Sequence, residues 1–480
     1  MNHINLLIGG TLRAAIDGRT FERRSPWTGE VVTRAAAASL ADADAAVSAA
    51  ADAFNVWSVM GPTARRARLL RAADALEARI PEFIKLGMEE IGATPDWMGF
   101  NAAYAANLLR ESAALTTRIR GDVIASDLDD ALMMTVRAPC GVVLGIAPWN
   151  SPVILAVRAL ATPLACGNTV VLKASEICPA THMLIGQILQ ESGLGDGVVN
   201  ILTSTPQDAP ALVEHLISTP QIKRINFTGS TKVGRIVARH AAEYLKPSLL
   251  ELGGKAPLVV LDDADLDAAV SAIAFGAFIN QGQVCMSTER VIVAESVADE
   301  LVKKLTLKTL ALKAGGQNTI LGMLESSGAA QRIQSLVENA RDLGAVLPVG
   351  CSVEGACMQP CIVENVTPEM QLYAEESFGP VVTVQRVSSD EEAVRIANDS
   401  EYGLTAAVYS QDVSRALRVA RQLKSGSCHI NGATLHDEPQ MPMGGLNASG
   451  WGRFGGEAGI QEFTDLRTIT LQSGQQIYPV

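Results

Sequence analysis

The sequence is poor in the features that mark nucleic-acid-binding and membrane proteins. Its net charge is −12, which argues against a basic nucleic-acid-binding face and against attraction to an anionic membrane surface. Aromatic residues make up only 4% of the chain. The longest apolar region, residues 142–172, is interrupted by prolines, asparagines and an arginine, so it does not predict a transmembrane span. We therefore expect neither nucleic-acid nor membrane partners.

Cysteine is also sparse. The eight cysteines are dispersed rather than arranged as a disulfide framework, which fits a reducing compartment. Cys351, Cys357 and Cys361 lie close in sequence, but no histidine or CxxC pair accompanies them, so no metal site is predicted. The first residues lack an apolar signal core. We expect a cytoplasmic protein without a bound metal.

What the chain does contain is a regular alternation of strands and helices. Its 480 residues are enough for two or three domains. Helical runs separate strand-like runs at 142–146, 169–173, 198–202, 224–228 and 248–252. Strands joined by single helices indicate parallel βαβ units. The alternation resumes after residue 258, so the predicted class is α/β, with a Rossmann-like parallel-sheet unit followed by a second α/β unit.

Two segments fall outside this alternation. Residues 121–138 predict an extended hairpin that interrupts the first unit, and residues 466–471 predict a strand in the tail. We interpret them as a small β element.

Cys285 lies between an apolar helical run, residues 273–279, and a strand-like run, residues 290–293. A thiol at such a junction can face a cleft, and its thiolate is a strong nucleophile. A single cysteine is nevertheless more often a small buried hydrophobic residue. A catalytic role for Cys285 therefore depends on what else the chain provides.

Two residues at predicted strand ends provide complementary chemistry. Asn150 follows the strand at 142–146, where its amide N–H groups can hold a developing alkoxide or simply cap the next helix. Glu251 is flanked by leucines, so burial is expected to raise its pKa towards that of a general base. The alternative for Glu251 is a strand-end carboxylate that faces water.

Two further strand ends suit a nucleotide. Lys173 and Glu176 can both reach ribose hydroxyls, unless they form only a solvated pair. Residues 227–234 place small side chains at a helix N-terminus, which suits a pyrophosphate but also fits an ordinary capped turn. The G-x-G-x-x-G fingerprint is absent.

The combination resembles the aldehyde dehydrogenase superfamily over essentially the full length. The matching stretches are Pro148-Trp149-Asn150, Lys173-Ala174-Ser175-Glu176, and residues 227–234, 250–255, 282–285 and 375–380. Three further stretches are similar to bacterial dehydrogenases of aromatic aldehydes, namely residues 20–32, 97–101 and 281–290.

The resemblance implies a mechanism. Cys285 would attack the aldehyde carbon, the Asn150 side chain and the Cys285 backbone N–H would hold the oxyanion, and Glu251 would activate the water that hydrolyses the thioester. NAD would be the cofactor. NADP is less favoured because the Glu176 carboxylate repels a 2′-phosphate. The implied cofactor-binding residues are Pro148, Trp149, Lys173, Ser175, Glu176, Gly229, Ser230, Val233, Gly234, Leu252, Glu376 and Phe378.

The resemblance implies that the substrate is an aromatic aldehyde, whose flat ring would pack well on aromatic side chains. The candidate substrate-binding residues are Trp97, Phe100, Arg158, Trp451 and Phe454. Vanillin is the first expectation, with salicylaldehyde or benzaldehyde as alternatives. Two competing hypotheses are a CoA-acylating relative, which typically lacks a glutamate at the position of Glu251, and a non-enzymatic binding protein of the same fold.

Three departures from the family pattern are visible. Phe454 stands where many relatives carry a second carboxylate. Relatives often carry a lysine on the helix after the Asn150 turn; here Arg158 is the nearest cation, placed either to meet a ring substituent of the substrate or only to brace Glu251. The loop at residues 315–317 is shorter than usual.

The resemblance also implies a domain plan and a homodimer or homotetramer. It assigns residues 1–120 and 141–251 to NAD binding, 252–450 to catalysis, and 121–140 with 460–480 to oligomerisation.

Overall fold

The structure, a computed structural model, describes residues 1–316, 319–474, 478 and 480. In chain order the strands are β1 Asn2–Ile4, β2 Leu6–Ile8, β3 Thr11–Arg13, β4 Thr20–Arg24, β5 Val31–Ala36, β6 Val123–Ile124, β7 Ala131–Pro139, β8 Val142–Ile146, β9 Thr169–Lys173, β10 Val199–Leu202, β11 Ile222–Thr228, β12 Ser248–Glu251, β13 Ala256–Val260, β14 Thr288–Ala294, β15 Val346–Val349, β16 Val353–Glu354, β17 Cys357–Met358, β18 Cys361–Glu364, β19 Val381–Val387, β20 Thr405–Tyr409, β21 Ser427–Ile430, β22 Gly450–Trp451 and β23 Thr464–Gln472.

The helices lie between these strands. They are α1 Leu40–Trp57, α2 Pro62–Ala78, α3 Ile80–Ile91, α4 Pro95–Leu115, α5 Pro152–Ala165, α6 Pro179–Glu191, α7 Ala209–Ser218, α8 Thr231–Glu243, α9 Leu266–Phe278, α10 Glu295–Ala311, α11 Ser327–Asp342, α12 Gln371–Ala374, α13 Asp390–Ala397, α14 Val413–Ala420 and α15 Gly456–Glu462. Short 3-10 turns occupy Ile279–Gly282 and Asn447–Ser449.

The first large sheet has the strand order β22-β12-β11-β8-β9-β10-β2-β3. Its five central strands are parallel. Every residue of β8 and β9 is buried, because helices cover both faces of a parallel sheet. The strands predicted at 142–146 and 169–173 have the predicted bounds, and the other three agree within two residues.

Parallel pairing brings the carboxyl ends of β8, β9, β11 and β12 to one edge of this sheet. Asn150 follows β8, Lys173 ends β9, Thr228 ends β11 and Glu251 ends β12. Ligands of open parallel sheets bind at this edge.

The second large sheet has the order β15-β18-β19-β14-β13-β20-β21 and is parallel except at β15. Its first strand, β13, begins only a few residues after Glu251. A separate small sheet at the N-terminus has the order β1-β5-β4. The predicted α/β class, with two parallel-sheet units, is confirmed.

The third sheet joins the hairpin to the tail in the order β23-β7-β6. Strand β23 runs antiparallel to β7, from Thr464 opposite Pro139 to Gln472 opposite Ala131. The strands predicted within 121–138 and at 466–471 are thereby confirmed. Residues 475–477 and 479 of the expected oligomerisation element, and Gln317 of the short loop, lie outside the described residues.

The domain boundaries stay a prediction, and one strand joins a sheet outside its expected domain. Strand β22, which lies at the end of the expected catalytic segment, pairs antiparallel with β12 in the first sheet.

Within the described residues, no helix is long and apolar enough to cross a membrane. The same part of the chain holds no cluster of three or more potential metal ligands.

Candidate active site

A cleft of about 510 Å³ lies at the carboxyl-terminal edge of the first sheet, against the second unit. Asn150, Glu251 and Cys285 all line it. Three residues that are far apart in sequence are therefore brought to one cavity.

Cys285 follows a strained turn. Asn280 and Gln281 both have left-handed backbone angles, with φ values of +48° and +56°, which are unfavourable for residues other than glycine. The turn ends α9 abruptly and directs the chain into the cleft, where the Cys285 side chain is half-buried. Burial raises the pKa of this thiol well above its usual value, and the Glu251 carboxylate raises it further. Cys285 is therefore a neutral thiol at pH 7.

Asn150 is tied to the segment that carries Cys285. Its buried Nδ2 donates to the carbonyl of Gln283 at 3.0 Å, and its own carbonyl accepts from Asn280 Nδ2 at 3.0 Å. The indole of Trp97 donates to the same carbonyl at 3.1 Å. An amide nitrogen carries two hydrogens, so one donor of Asn150 remains for a ligand in the cleft.

Glu251 ends β12 as a fully buried side chain. Neither of its carboxylate oxygens has a hydrogen-bond partner among the described residues. Burial raises its pKa to about 7, while the charge of Arg158 opposes the rise. The flanking leucines at 250 and 252 are buried as well, so the predicted desolvation of this carboxylate is present.

Glu376 lies across the cleft from the strand ends. Its Oε1 accepts from the backbone N–H of Gly254 at 2.8 Å, and burial raises its pKa to about 8. Phe378, two residues later, packs edge-to-face against Trp149 at 5.9 Å. Trp149 and Phe378 thus contact each other in the lining of the cleft.

A buried ion pair holds the loop that carries Glu376. Lys255 Nζ lies 2.6 Å from Glu289 Oε2 and also donates to the carbonyl of Glu375 at 2.7 Å. The other oxygen of Glu289 accepts from Ser377 N and Oγ and from Phe378 N, at 2.9, 2.7 and 3.1 Å.

Sequence reasoning missed Glu289 and its network. The available signal was a glutamate directly before the strand-like run at residues 290–293, since such a side chain needs a partner when it is buried.

The N-terminus of α8 opens into the cleft. Ser230 caps the helix by accepting from Val233 N at 3.4 Å, and Gly229 and Thr231 also line the cavity. A Cβ added at Gly229 would lie 2.6 Å from the ring of Phe227. Free N–H groups at such a helix start suit a phosphate.

Lys173, Ser175 and Glu176 lie beside the cleft rather than in its lining. Lys173 Nζ is 2.8 Å from Glu176 Oε2. Burial alone would raise the pKa of Glu176, but the charge and hydrogen bond of Lys173 lower it below its usual value. The Glu176 carboxylate is therefore ionised at pH 7.

The five candidate substrate residues fall into three places. Trp97 and Phe100 pack with their ring centroids 5.7 Å apart and their rings tilted by 32°, and Phe100 is about half exposed. Arg158 is buried, pairs with Asp437, and lies over the ring of Phe454 at 5.9 Å.

Trp451 is not brought to the other four residues. It lies on the outer strand β22, where its indole donates to the carbonyl of Ser248 at 2.7 Å, and it lines a separate cavity with Arg235 and Arg239.

Four more predicted cofactor residues have clear positions. Pro148 and Leu252 line the cleft. Gly234 packs so closely on Leu252 that a Cβ would meet its side chain at 2.4 Å. Val233 is partly exposed on α8.

Comparison with known proteins matches this geometry to a family. Residues 14–469 match the model of the aldehyde dehydrogenase family. The chain is 60% identical over 483 residues to vanillin dehydrogenase of Pseudomonas sp. (strain HR199 / DSM 7063), with all of both chains covered. It is 49% identical to salicylaldehyde dehydrogenase of Pseudomonas putida, with 96% of this chain and 97% of that protein covered.

A solved structure is similar over the whole chain. The crystal structure of a salicylaldehyde dehydrogenase from Pseudomonas putida G7 complexed with salicylaldehyde aligns with a TM-score of 0.98 at 46% identity and covers 100% of both chains.

Proposed function

The chain belongs to the aldehyde dehydrogenase family, and we propose that it oxidises an aromatic aldehyde, with vanillin as the first candidate, to the carboxylic acid. It is an oxidoreductase that uses a nicotinamide cofactor. The observation that carries the proposal is the meeting of Asn150, Glu251 and Cys285 in one cleft. Together they supply an oxyanion donor, a base and a nucleophile.

The cleft suits NAD. The free N–H groups at the start of α8 would bind its pyrophosphate, Lys173 and Glu176 its adenosine ribose, and Glu376 its nicotinamide ribose. NAD, when bound, supplies a hydride acceptor. The ionised carboxylate of Glu176 supports NAD over NADP, since it repels a 2′-phosphate.

Three groups of the chain act on the aldehyde. The Cys285 thiol is neutral at rest, so Glu251, whose pKa is about 7, takes its proton as sulfur attacks the carbonyl carbon. The amide of Asn150 and the Cys285 backbone N–H hold the oxyanion. One such donor typically contributes about 3 kcal/mol to the transition state.

Glu251 then acts a second time, after it has released the thiol proton to bulk water. Once the substrate carbon is oxidised, a thioester joins it to Cys285. Glu251 takes a proton from water, the resulting hydroxide attacks the thioester carbon, and the acid leaves while sulfur regains a proton.

Support for an aromatic substrate comes from residues outside the lining of the cleft and from the relatives of this chain. The half-exposed ring of Phe100, which packs against the buried Trp97, offers a surface on which a flat ring can pack. Arg158 and Asp437 form a buried charged pair next to Phe454. This chain is similar to a vanillin dehydrogenase and to a salicylaldehyde dehydrogenase. Both named substrates are aldehydes on a hydroxylated aromatic ring, which supports the same substrate class for this chain.

We also propose a cytoplasmic homodimer or homotetramer. All eight cysteines are free, as expected in a reducing compartment. The nine-residue strand β23 is an edge strand with exposed apolar side chains, and such edges pair with another chain readily.

The test is an aldehyde panel read as NADH formation. Vanillin, salicylaldehyde, benzaldehyde and an aliphatic aldehyde are compared by kcat/KM, with CoA added in a parallel series. Aromatic preference and a free acid product are expected. Acyl-CoA as the product, or aliphatic preference, would contradict the proposal. Cys285→Ala should lose turnover by more than about a thousandfold while it still binds NAD.

A further inference from the structure

A buried histidine lies next to the loop proposed to bind the adenosine ribose. His182 belongs to α6 and is fully buried. Its Nδ1 accepts a hydrogen bond from the backbone N–H of Ser175 at 3.2 Å. Its Nε2 is 3.4 Å from the sulfur of Cys178. No step of the proposed reaction uses this ring.

The hydrogen bond from Ser175 fixes the state of the ring. A backbone N–H only donates, so Nδ1 carries no proton and Nε2 carries the hydrogen. Burial, with the nearby charge of Lys173, lowers the pKa of His182 to about 3. The imidazole is therefore neutral throughout the physiological range, and it acts as an acceptor rather than as an acid.

The contacted peptide lies between the two charged residues of the loop. Ala174 and Ser175 separate Lys173 from Glu176, whose side chains form the 2.8 Å pair. Ser175 is buried, and its hydroxyl accepts from Ile177 N at 3.2 Å. Without His182 the N–H of Ser175 would have no partner in a dry environment, where an unpaired donor is costly.

The histidine is itself held in place. The start of α6 is anchored by Glu90, which is fully buried and accepts from Ala180 N at 2.9 Å and from Thr181 N at 3.1 Å. The hydroxyl of Thr181 donates to the same carboxylate at 2.8 Å. The helix turn that carries His182 is thus fixed to α3, so the ring presents Nδ1 from a rigid position.

We propose that His182 is a positioning residue for the cofactor: its Nδ1 fixes the Ser175 peptide and thereby sets the Lys173–Glu176 pair against the adenosine ribose. The inference rests on the proposed function, because it assigns that ribose to this loop. His182 lies outside the lining of the cleft. Its loss should weaken binding of the dinucleotide and leave the chemical step unchanged.

Two variants of nearly equal size separate the acceptor from the volume of the side chain. His182→Asn keeps an oxygen close to the position of Nδ1, and His182→Leu removes it. Met183→Leu, a buried change on the same helix, controls for repacking. Each variant is measured for KM and kcat with NAD, for Kd of NAD by calorimetry, and for Tm.

We expect His182→Leu to raise Kd and KM for NAD by at least about tenfold, as loss of a buried hydrogen bond does. Its kcat at saturating NAD should stay within about twofold of wild type, since the groups that act on the aldehyde are unchanged. His182→Asn should restore NAD binding to within about threefold. When Glu176→Gln is already present, His182→Leu should raise the Kd for NAD by a smaller factor than it does alone, because both changes act through one loop.

Unchanged NAD binding in His182→Leu would overturn the inference. So would an equal loss in His182→Asn and His182→Leu, which would show that only the shape of the ring matters. If the wild type binds NAD but oxidises no aldehyde, the proposed function fails, while the calorimetric comparison still tests His182.

Discussion

Lys255 donates to Glu289 across 2.6 Å, and both side chains are buried. The carboxylate also accepts three hydrogen bonds from Ser377 and Phe378. This ion pair therefore connects the glycine-rich segment after Glu251 to the loop that carries Glu376. It provides a route by which a change outside the cleft reaches the cofactor.

Lys255→Met should destabilise the protein by about 3–5 kcal/mol, because it leaves a buried carboxylate without its counter-charge. KM for NAD should rise as the loop of Glu376 loosens. The double variant Lys255→Met/Glu289→Gln should lose less free energy of unfolding than the two single variants lose in sum. Denaturant titration measures all three, and strict additivity would show that the pair is not coupled.

Activity should rise with pH through about 7. The base form of Glu251 is the carboxylate, and burial raises its pKa to about 7, so protonation removes the base below that pH. The measurement is kcat against pH at saturating NAD, which keeps the titration of Glu376 out of the profile. A profile that is flat between about pH 6 and 8 would contradict the role of Glu251.

Glu251→Gln should trap an acyl adduct on Cys285. The amide can take a proton neither from the thiol nor from water. Acylation then proceeds slowly, with the thiol proton lost to bulk solvent, while deacylation stops, so the thioester accumulates. Intact-mass spectrometry after incubation with vanillin and NAD should show the added acyl mass. Cys285→Ala treated in the same way is the control and should show none.

The same substitution should make stability less dependent on pH. The folded pKa of Glu251, about 7, lies above its unfolded value of 4.5. Folding is therefore favoured by the proton, and stability is lost as pH rises from 4.5 to about 7. The free energy of unfolding of Glu251→Gln, measured relative to wild type, should be about 2 kcal/mol higher at about pH 8 than at about pH 5. Equal differences at the two pH values would show that the carboxylate is not desolvated.

Charge on the tail strand should dissociate the oligomer. Leu471 of β23 is 56% exposed, and an aspartate there would be buried and unpaired in an interface. Leu471→Asp should give monomers by light scattering after gel filtration. Leu307→Asp on α10, at a residue of similar exposure, is the matched control and should leave the assembly intact.

The sheet strands were predictable because they are short apolar runs that are buried on both faces, as in β8 and β9. The sequence also predicted the desolvation of Glu251, from the leucines on either side. Each of these features depends on neighbouring residues, so a local pattern contains the information.

Contacts between distant segments were not predictable. Lys255 and Glu289 are 34 residues apart in the chain and meet where β13 pairs with β14. His182 and Ser175 are close in sequence, but their contact depends on how α6 folds back over the loop before it. Trp451 was a candidate substrate residue because it is aromatic and lies close in sequence to Phe454. The pairing of its strand, β22, with β12 instead places it at the outer edge of the first sheet. Which face a side chain takes depends on register, which its own sequence does not specify.

The pairing of β22 with β12 also constrains the order in which this protein matures. The strand that ends in Glu251 receives its outer neighbour only when residues 450 and 451 have been made. While the ribosome synthesises the intervening chain, the nascent first unit presents an open edge that can pair with other chains. Truncated products that end before residue 450 should therefore depend on chaperones more than the finished protein does.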